Sequence, residues 1–229
     1  MSGVGAKPGD IYGRLPDQAI YAALLSHSFD PLIGLVEELA SAFLREGVTY
    51  VAGDAVEGYN PTHDACRLMI GAAVEMANRA GGQPIANFDF SLMGRQDCSD
   101  HPDEGAIRLD LDESAFARKI AAMQAYPELA AEVDAGLSGT MLETLRPFPE
   151  LAAEVEAALS GVDINSFRTE CLRPVENRAG SDGLPQEPPF YERYGEKQVA
   201  LGHYRHVLRY REHVLPFADA LWGWLGDRH

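Results

Sequence analysis

The spacing of apolar residues in the first quarter of the chain predicts two helices followed by a strand. Apolar residues recur at intervals of three and four over residues 17–25 and 32–46, as on one face of a helix. Gly47 ends the second of these patterns in the manner of a C-terminal cap. Residues 48–55 are then apolar and β-branched, which predicts a strand that is buried on both faces.

A third helix and two further strands follow. Asn60 and Pro61 are typical of a helix start, and the apolar stripe that begins there continues to residue 79. Residues 84–93 and 106–111 have the short apolar and alternating patterns of strands. Because strand, helix and strand alternate, we expect an α/β fold with a Rossmann-like parallel sheet flanked by helices.

The second half of the chain has mostly helical patterning. A helix is predicted over residues 114–123, and the sequence YPELAAEVDAGLSG at 126–139 recurs as FPELAAEVEAALSG at 148–161. We interpret this repeat as a local duplication, since two copies are too few for a solenoid. The predicted organisation is a flexible tail (1–10) and one α/β domain (11–229) that contains the duplicated helical hairpin (126–161), a polar loop (177–189) and a helical segment (190–225) broken near Pro216.

Composition and charge narrow the function classes. The chain has 46% hydrophobic residues, which is typical of a folded protein, and a net charge of −16. This acidic balance disfavours binding to nucleic acid or to anionic membranes, both of which select clustered positive charge. Three widely spaced cysteines predict no disulfide framework and fit a reducing compartment. We therefore expect a cytoplasmic protein that binds neither nucleic acid nor membranes.

The segment DAVEGYNPTHD, residues 54–64, carries the densest group of candidate functional side chains. It lies between a predicted buried strand and a helix start, where α/β proteins bind ligands. The helix N-terminus also offers free N–H groups to an anion. The alternative is structural: Asn60 and Asp64 cap the helix, and His63 only bonds to a carbonyl. The candidate residues are Asp54, Glu57, Tyr59, Asn60, His63 and Asp64.

The strand, the N-P-T-H-D sequence at 60–64 and the helix after it resemble the late H-P-D-H element of the PIG-L (LmbE-like) family. Members of that family are metal-dependent hydrolases that remove N-acetyl groups from sugars. Residues 111–126 also resemble a strand and helix of the same family, so the resemblance extends over about residues 15–126.

The resemblance implies a role for several residues. The last His of the family's late motif is a zinc ligand, and that position is His63. Its first His stabilises the oxyanion, and Asn60 stands there with an amide that can donate a hydrogen bond. Asp54 or Glu57 is the expected group that activates the water, and Tyr59 and Asp64 are expected to contact the substrate. Zinc, or another divalent metal, is the implied cofactor.

The family's early A-H-P-D-D-E motif, which supplies two metal ligands and the base, is not found in the chain. His27 and Asp30 have the spacing of its two ligands, but Phe29 occupies the position of the base. Residues 101–104 spell H-P-D-E in a polar loop, which we interpret as coincidence. Three interpretations stay open: an active relative with ligands drawn from His27, Asp30, Asp54 or Glu57; a relative without metal that binds a polar ligand; or a chain truncated at its start.

The leading prediction is a hydrolase that removes an N-acyl group from a small sugar-like substrate, such as an N-acetylated sugar or glycoconjugate. The alternative is a non-catalytic homologue that binds a polar ligand or a protein partner through the same crevice. A third interpretation assigns the repeat helices at 126–161 to a homo-oligomer interface.

Overall fold

The computed structural model describes residues 7–92, 105–124, 149, 167–175 and 188–227. The chain divides into two compact units, where the sequence predicts one domain over residues 11–229. We call Asp10–Phe90 with Pro174–His229 the main unit, and Met1–Gly9 with Ser91–Arg173 the second unit. The duplicated hairpin at 126–161 lies outside the described residues except for Pro149, as does most of the predicted loop at 177–189.

The described elements follow the predicted order closely up to residue 124. In chain order they are α1 (Asp17–Ser26), α2 (Asp30–Glu46), β1 (Tyr50–Asp54), α3 (Pro61–Arg79), β2 (Ala86–Phe90), β3 (Ile107–Asp110), α4 (Glu113–Gln124), β4 (Thr169–Pro174), α5 (Phe190–Ala200), a π-helical turn (Tyr210–Val214) and α6 (Leu215–Gly226).

Strands β1 and β2 of the main unit are parallel neighbours joined through α3. Their register pairs Tyr50 with Ala86 and Gly53 with Asp89. This pair has the parallel direction that the sequence predicts. The predicted burial of β1 on both faces is wrong, because Tyr50 is 65% exposed and only Gly53 is buried within the strand. One face of β1 is therefore turned to solvent.

Helix α3 lies at the centre of the main unit. It packs against α1, α2 and α6, as well as against β1 and β2. Its buried side includes the small residues Ala65, Ala72 and Ala73, which allow close packing of the neighbouring helices. The N-terminus of α3 is thereby fixed beside the end of β1. The largest fully buried apolar side chains of the described residues are Leu24, Leu32, Val36, Val74, Val214, Phe217, Leu221 and Leu225.

The second unit contains an antiparallel pair of strands. Ile107 of β3 is opposite Leu172 of β4, and Asp110 is opposite Thr169. The described fold is therefore mixed α/β, with both parallel and antiparallel pairing. Cys171 on β4 is disulfide-bonded, a pairing that the prediction of no disulfide framework does not include, and its partner lies outside the described residues.

The helical C-terminal segment is interrupted earlier than the sequence predicts. Helix α5 ends at Ala200, and Gly202 follows with a φ of 78°, a conformation that favours glycine. Pro216 stands in the first turn of α6, where its missing N–H costs no hydrogen bond. The break near Pro216 is therefore a helix start. None of the helices in the described ranges is long and apolar enough to cross a membrane.

Candidate functional site

The candidate site is built on the loop between β1 and α3. Strand β1 ends at Asp54, and α3 begins after Asn60, whose side-chain Oδ1 accepts a hydrogen bond of 2.9 Å from the N–H of Thr62. Asn60 therefore caps the helix, as its sequence position predicts. The side chains of β1's last residue and of the first turn of α3 meet here.

His63 and Asp54 form a close pair in this loop. Nδ1 of His63 lies 2.5 Å from Oδ2 of Asp54, and the side chains are 42% and 28% exposed. An ionised carboxylate only accepts, so Nδ1 carries the proton and Nε2 is left as a free base when the ring is neutral. The hydrogen bond to Asp54 raises the pKa of His63 above its ordinary value. The pair has the arrangement of a carboxylate-oriented general base.

Asp64, in the first turn of α3, holds the loop through the loop's backbone N–H groups. Its Oδ1 accepts hydrogen bonds from the N–H groups of Glu57 at 3.1 Å and Gly58 at 3.3 Å. Gly58 has a φ of 67°, and a Cβ there would lie 2.8 Å from Cβ of Pro189. Both the backbone angle and the close approach therefore require glycine.

Asp64 is also a buried acid. The residue is 1% exposed, and burial raises the pKa of its carboxyl to about 6. The nearby charge of Glu57 acts in the same direction, while the two N–H donors oppose it. Such a carboxylate reduces stability once it is ionised, a cost that is often tolerated at functional sites.

We expect Asp64→Asn to stabilise the protein at pH 7.5 and to have little effect near pH 4. The folded carboxyl binds its proton more tightly than the unfolded one, so its contribution to stability is present below about pH 4 and is lost as the pH rises through about 6. The difference corresponds to a gain of up to about 3 kcal/mol in the free energy of unfolding. Urea unfolding at both pH values measures it, with the exposed Asp219→Asn as control. An equal effect at both pH values would contradict the assignment.

Asn60 and Tyr59 flank the pair. Because Oδ1 of Asn60 is bonded to Thr62 N–H, and lies 3.4 Å from the hydroxyl of Tyr21, its Nδ2 group remains as a donor. This fits the expected oxyanion role. The ring of Tyr59 stacks on Phe190 at 5.0 Å, so the predicted substrate-contacting residue lies against the start of α5.

Arg67 also stabilises the site, and this role is not predicted from the sequence. It is buried on α3, and its guanidinium donates to the carbonyl of Phe88 at 2.8 Å and to Oδ1 of Asn87 at 2.6 Å. Burial lowers the pKa of its guanidinium, and the charges of Asp89 and Asp54 oppose this effect. Arg67 thus ties the end of β2 to α3 beneath the site. Its sequence signal is weak: an arginine between apolar residues in the first half of α3.

The expected metal ligands are not gathered into one cluster in the described residues. His27 lies at the α1–α2 junction, where its Nε2 donates to the carbonyl of Glu212 at 2.8 Å and its ring stacks on Phe29. Asp30 is the first residue of α2. Across residues 7–92, 105–124, 149, 167–175 and 188–227, no three His, Cys, Asp or Glu side chains are grouped to hold a metal ion.

The H-P-D-E sequence at 101–104 lies outside the described residues.

The chain matches no protein-family model, no curated protein and no solved structure. Assignment to the PIG-L family therefore stays a prediction that depends on the residues of the loop and helix.

Proposed function

We propose that the chain is a hydrolase that cleaves the N-acyl amide of a sugar-like substrate, with His63 as its general base. The observation that carries the proposal is the hydrogen bond between His63 and Asp54 at the carboxyl end of a parallel strand. Part of the proposal is that β1, α3 and β2 form a Rossmann-like unit, in which this edge is the usual ligand position.

The reaction needs one water and no redox partner. Nε2 of His63 accepts a proton from the water as its oxygen attacks the acyl carbon. The carbon–nitrogen bond then breaks, and His63 returns the proton to the amine nitrogen, which gives a carboxylic acid and an amine. Transfer of the acid's own proton to the released amine then gives a carboxylate and an ammonium. Ionised Asp54 stabilises the imidazolium between these steps, and Nδ2 of Asn60 donates to the oxyanion.

Zinc stays a prediction from the family resemblance, and no step above passes through it. If His63 bound zinc through Nε2, that nitrogen would not act as the base, and Asp54 would have the position of the carboxylate that commonly orients a metal-bound histidine. Zinc supplies a more acidic bound water and polarises the carbonyl. The assay is therefore run both with added zinc and with a chelator.

The test is release of acetate from N-acetylglucosamine and other N-acetylated amino sugars by the full chain. His63→Gln serves as the blank, and His206→Gln, at an exposed histidine, is the matched control. We expect acetate from the wild type and from His206→Gln, and none from His63→Gln. Equal release by His63→Gln would contradict the role of this residue. Release by none of the three proteins would contradict the hydrolase and favour the ligand-binding alternative.

A further inference from the structure

Several buried side-chain polar atoms have no hydrogen-bond partner in the described part of the chain, among them Oγ1 of Thr62 and Nε of Arg67. Two others belong to residues that are hydrogen-bonded to the site loop. They are Oδ2 of Asp64 and the hydroxyl of Tyr191, on residues that are 1% and 7% exposed. An unsatisfied buried polar group costs about 1–3 kcal/mol, and such groups are rare in folded proteins. Their presence points to a polar group that binds there.

The two atoms belong to helix starts that are linked through the site loop. The N–H of Gly58 donates to Oδ1 of Asp64, and the carbonyl of Gly58 accepts from the N–H of Tyr191 at 3.3 Å. The charge of Asp64 contributes to the raised pKa of Tyr191, and likewise to that of Tyr210. Asp64 and Tyr191 are therefore neighbours on one side of the loop that carries Asn60.

We propose that Asp64 and Tyr191 together bind a hydroxyl group of the substrate, in a subsite next to His63. The carboxylate oxygen accepts the hydroxyl proton, and the phenol donates to the hydroxyl oxygen. The inference rests on the proposed function, because it specifies the substrate of that same site as a polyhydroxylated amide.

The carboxylate of Asp64 and the hydroxyl of Tyr191 together favour a hydroxyl group as their ligand. A hydroxyl both donates and accepts, so it satisfies both atoms at once. An ammonium cannot accept from Tyr191, and a fully ionised phosphate or carboxylate has no proton for ionised Asp64. Beside the subsite, the stacked rings of Tyr59, Phe190 and Tyr194 provide the apolar surface against which the carbon face of a sugar ring packs. A bound water has the same hydrogen bonds as a hydroxyl, and the test separates the two.

The experiment measures binding of N-acetylglucosamine to the full chain by isothermal titration calorimetry. We expect Asp64→Asn to weaken binding, because the uncharged amide is a poorer acceptor for the sugar hydroxyl than the carboxylate. We expect Tyr191→Phe to weaken binding about 10-fold, which is the usual effect of one lost hydrogen bond to a charged or buried partner. Tyr50→Phe, at an exposed tyrosine, is the matched control and is expected to bind as the wild type does.

Two results would overturn the subsite: no binding of N-acetylglucosamine at 50 mM or roughly that concentration, or binding that is equal in the wild type, Asp64→Asn and Tyr191→Phe. In both cases the polar group between the two side chains is water. The proposed function fails separately. If N-acetylglucosamine binds through Tyr191 but no N-acetyl sugar releases acetate, the subsite stands and the hydrolase does not. If acetate release depends on His63 but sugar binding is unchanged in both variants, only the subsite is wrong.

Discussion

Asp54→Asn is expected to lower kcat for acetate release by roughly 10²–10⁴-fold, the usual contribution of an oriented general base. The amide is uncharged, so it cannot stabilise the imidazolium that forms during proton transfer. It can also present its NH₂ group to Nδ1, which favours the tautomer with the proton on Nε2 and removes the base. Rates of the wild type and the variant on the same substrate measure the effect.

The pH dependence of the rate of acetate release is a second measurement of the effect of Asp54→Asn. Asp54 raises the pKa of His63, so the wild-type rate should rise with pH through a value above the ordinary histidine pKa of 6.5. In Asp54→Asn this rise should move to lower pH, because the carboxylate that favours the protonated ring is gone. Asp219→Asn should keep the wild-type rate and profile. A rate loss without a shift in the profile would contradict the pairing of Asp54 with His63.

The same pKa shift links the pair to stability. Because the pKa of His63 is raised on folding, the pair stabilises the fold below about pH 6.5, and the contribution is lost as the pH rises through the folded value. Activity therefore needs the form of His63 in which this stabilisation is absent. The buried carboxyl of Asp64 is also least favourable at the pH where a free base at His63 is available. The site loop therefore lowers the free energy of unfolding at the pH where the protein is expected to be active, and such a loss of stability is common at catalytic sites.

Local signals are sufficient for α3 and for the approximate positions of β1, β2 and β3, but not for β4. Asn60 and Pro61 define the start of α3 because capping depends on the residue itself and its near neighbours. Strand β4 (TECLRP) lacks a regular alternation of apolar and polar residues, and its pairing with β3 depends on a partner about 60 residues away. Which face of β1 is buried likewise depends on tertiary packing.

In the candidate site, too, local sequence predicts some features, while others depend on contacts between distant parts of the chain. Crowding of Asp54, Asn60 and His63 in a strand-to-helix loop predicted their proximity, because a turn at the strand end brings nearby residues together. The sequence predicted neither the burial of Asp64 nor the neighbouring Tyr191, which lies more than 120 residues away in the chain. Distant contacts of this kind have no periodic pattern, so only the fold identifies them.

Arg67→Met is expected to reduce the free energy of unfolding by about 3 kcal/mol, the scale at which loss of one partner from a buried charged network acts. Methionine keeps much of the side-chain volume but donates no hydrogen bond. The carbonyl of Phe88 and Oδ1 of Asn87 then lose the guanidinium donors, and Asp54 and Asp89 lose a compensating charge. Urea unfolding at constant pH measures the change.

Arg205→Met, at an exposed arginine, is the matched control and is expected to change stability by less than about 0.5 kcal/mol. A loss below about 1 kcal/mol in Arg67→Met would show that the guanidinium is not the link between α3 and the end of β2.

A substitution at Gly53 provides a second test of the same network, because Arg67 lies close to this glycine. A Cβ at Gly53 would lie 2.9 Å from Cδ1 of Ile70 and 3.4 Å from Nη1 of Arg67, so Gly53→Ala should destabilise the wild type. It should destabilise the Arg67→Met background by a different amount, because the shared neighbour has changed and contacting substitutions are not additive.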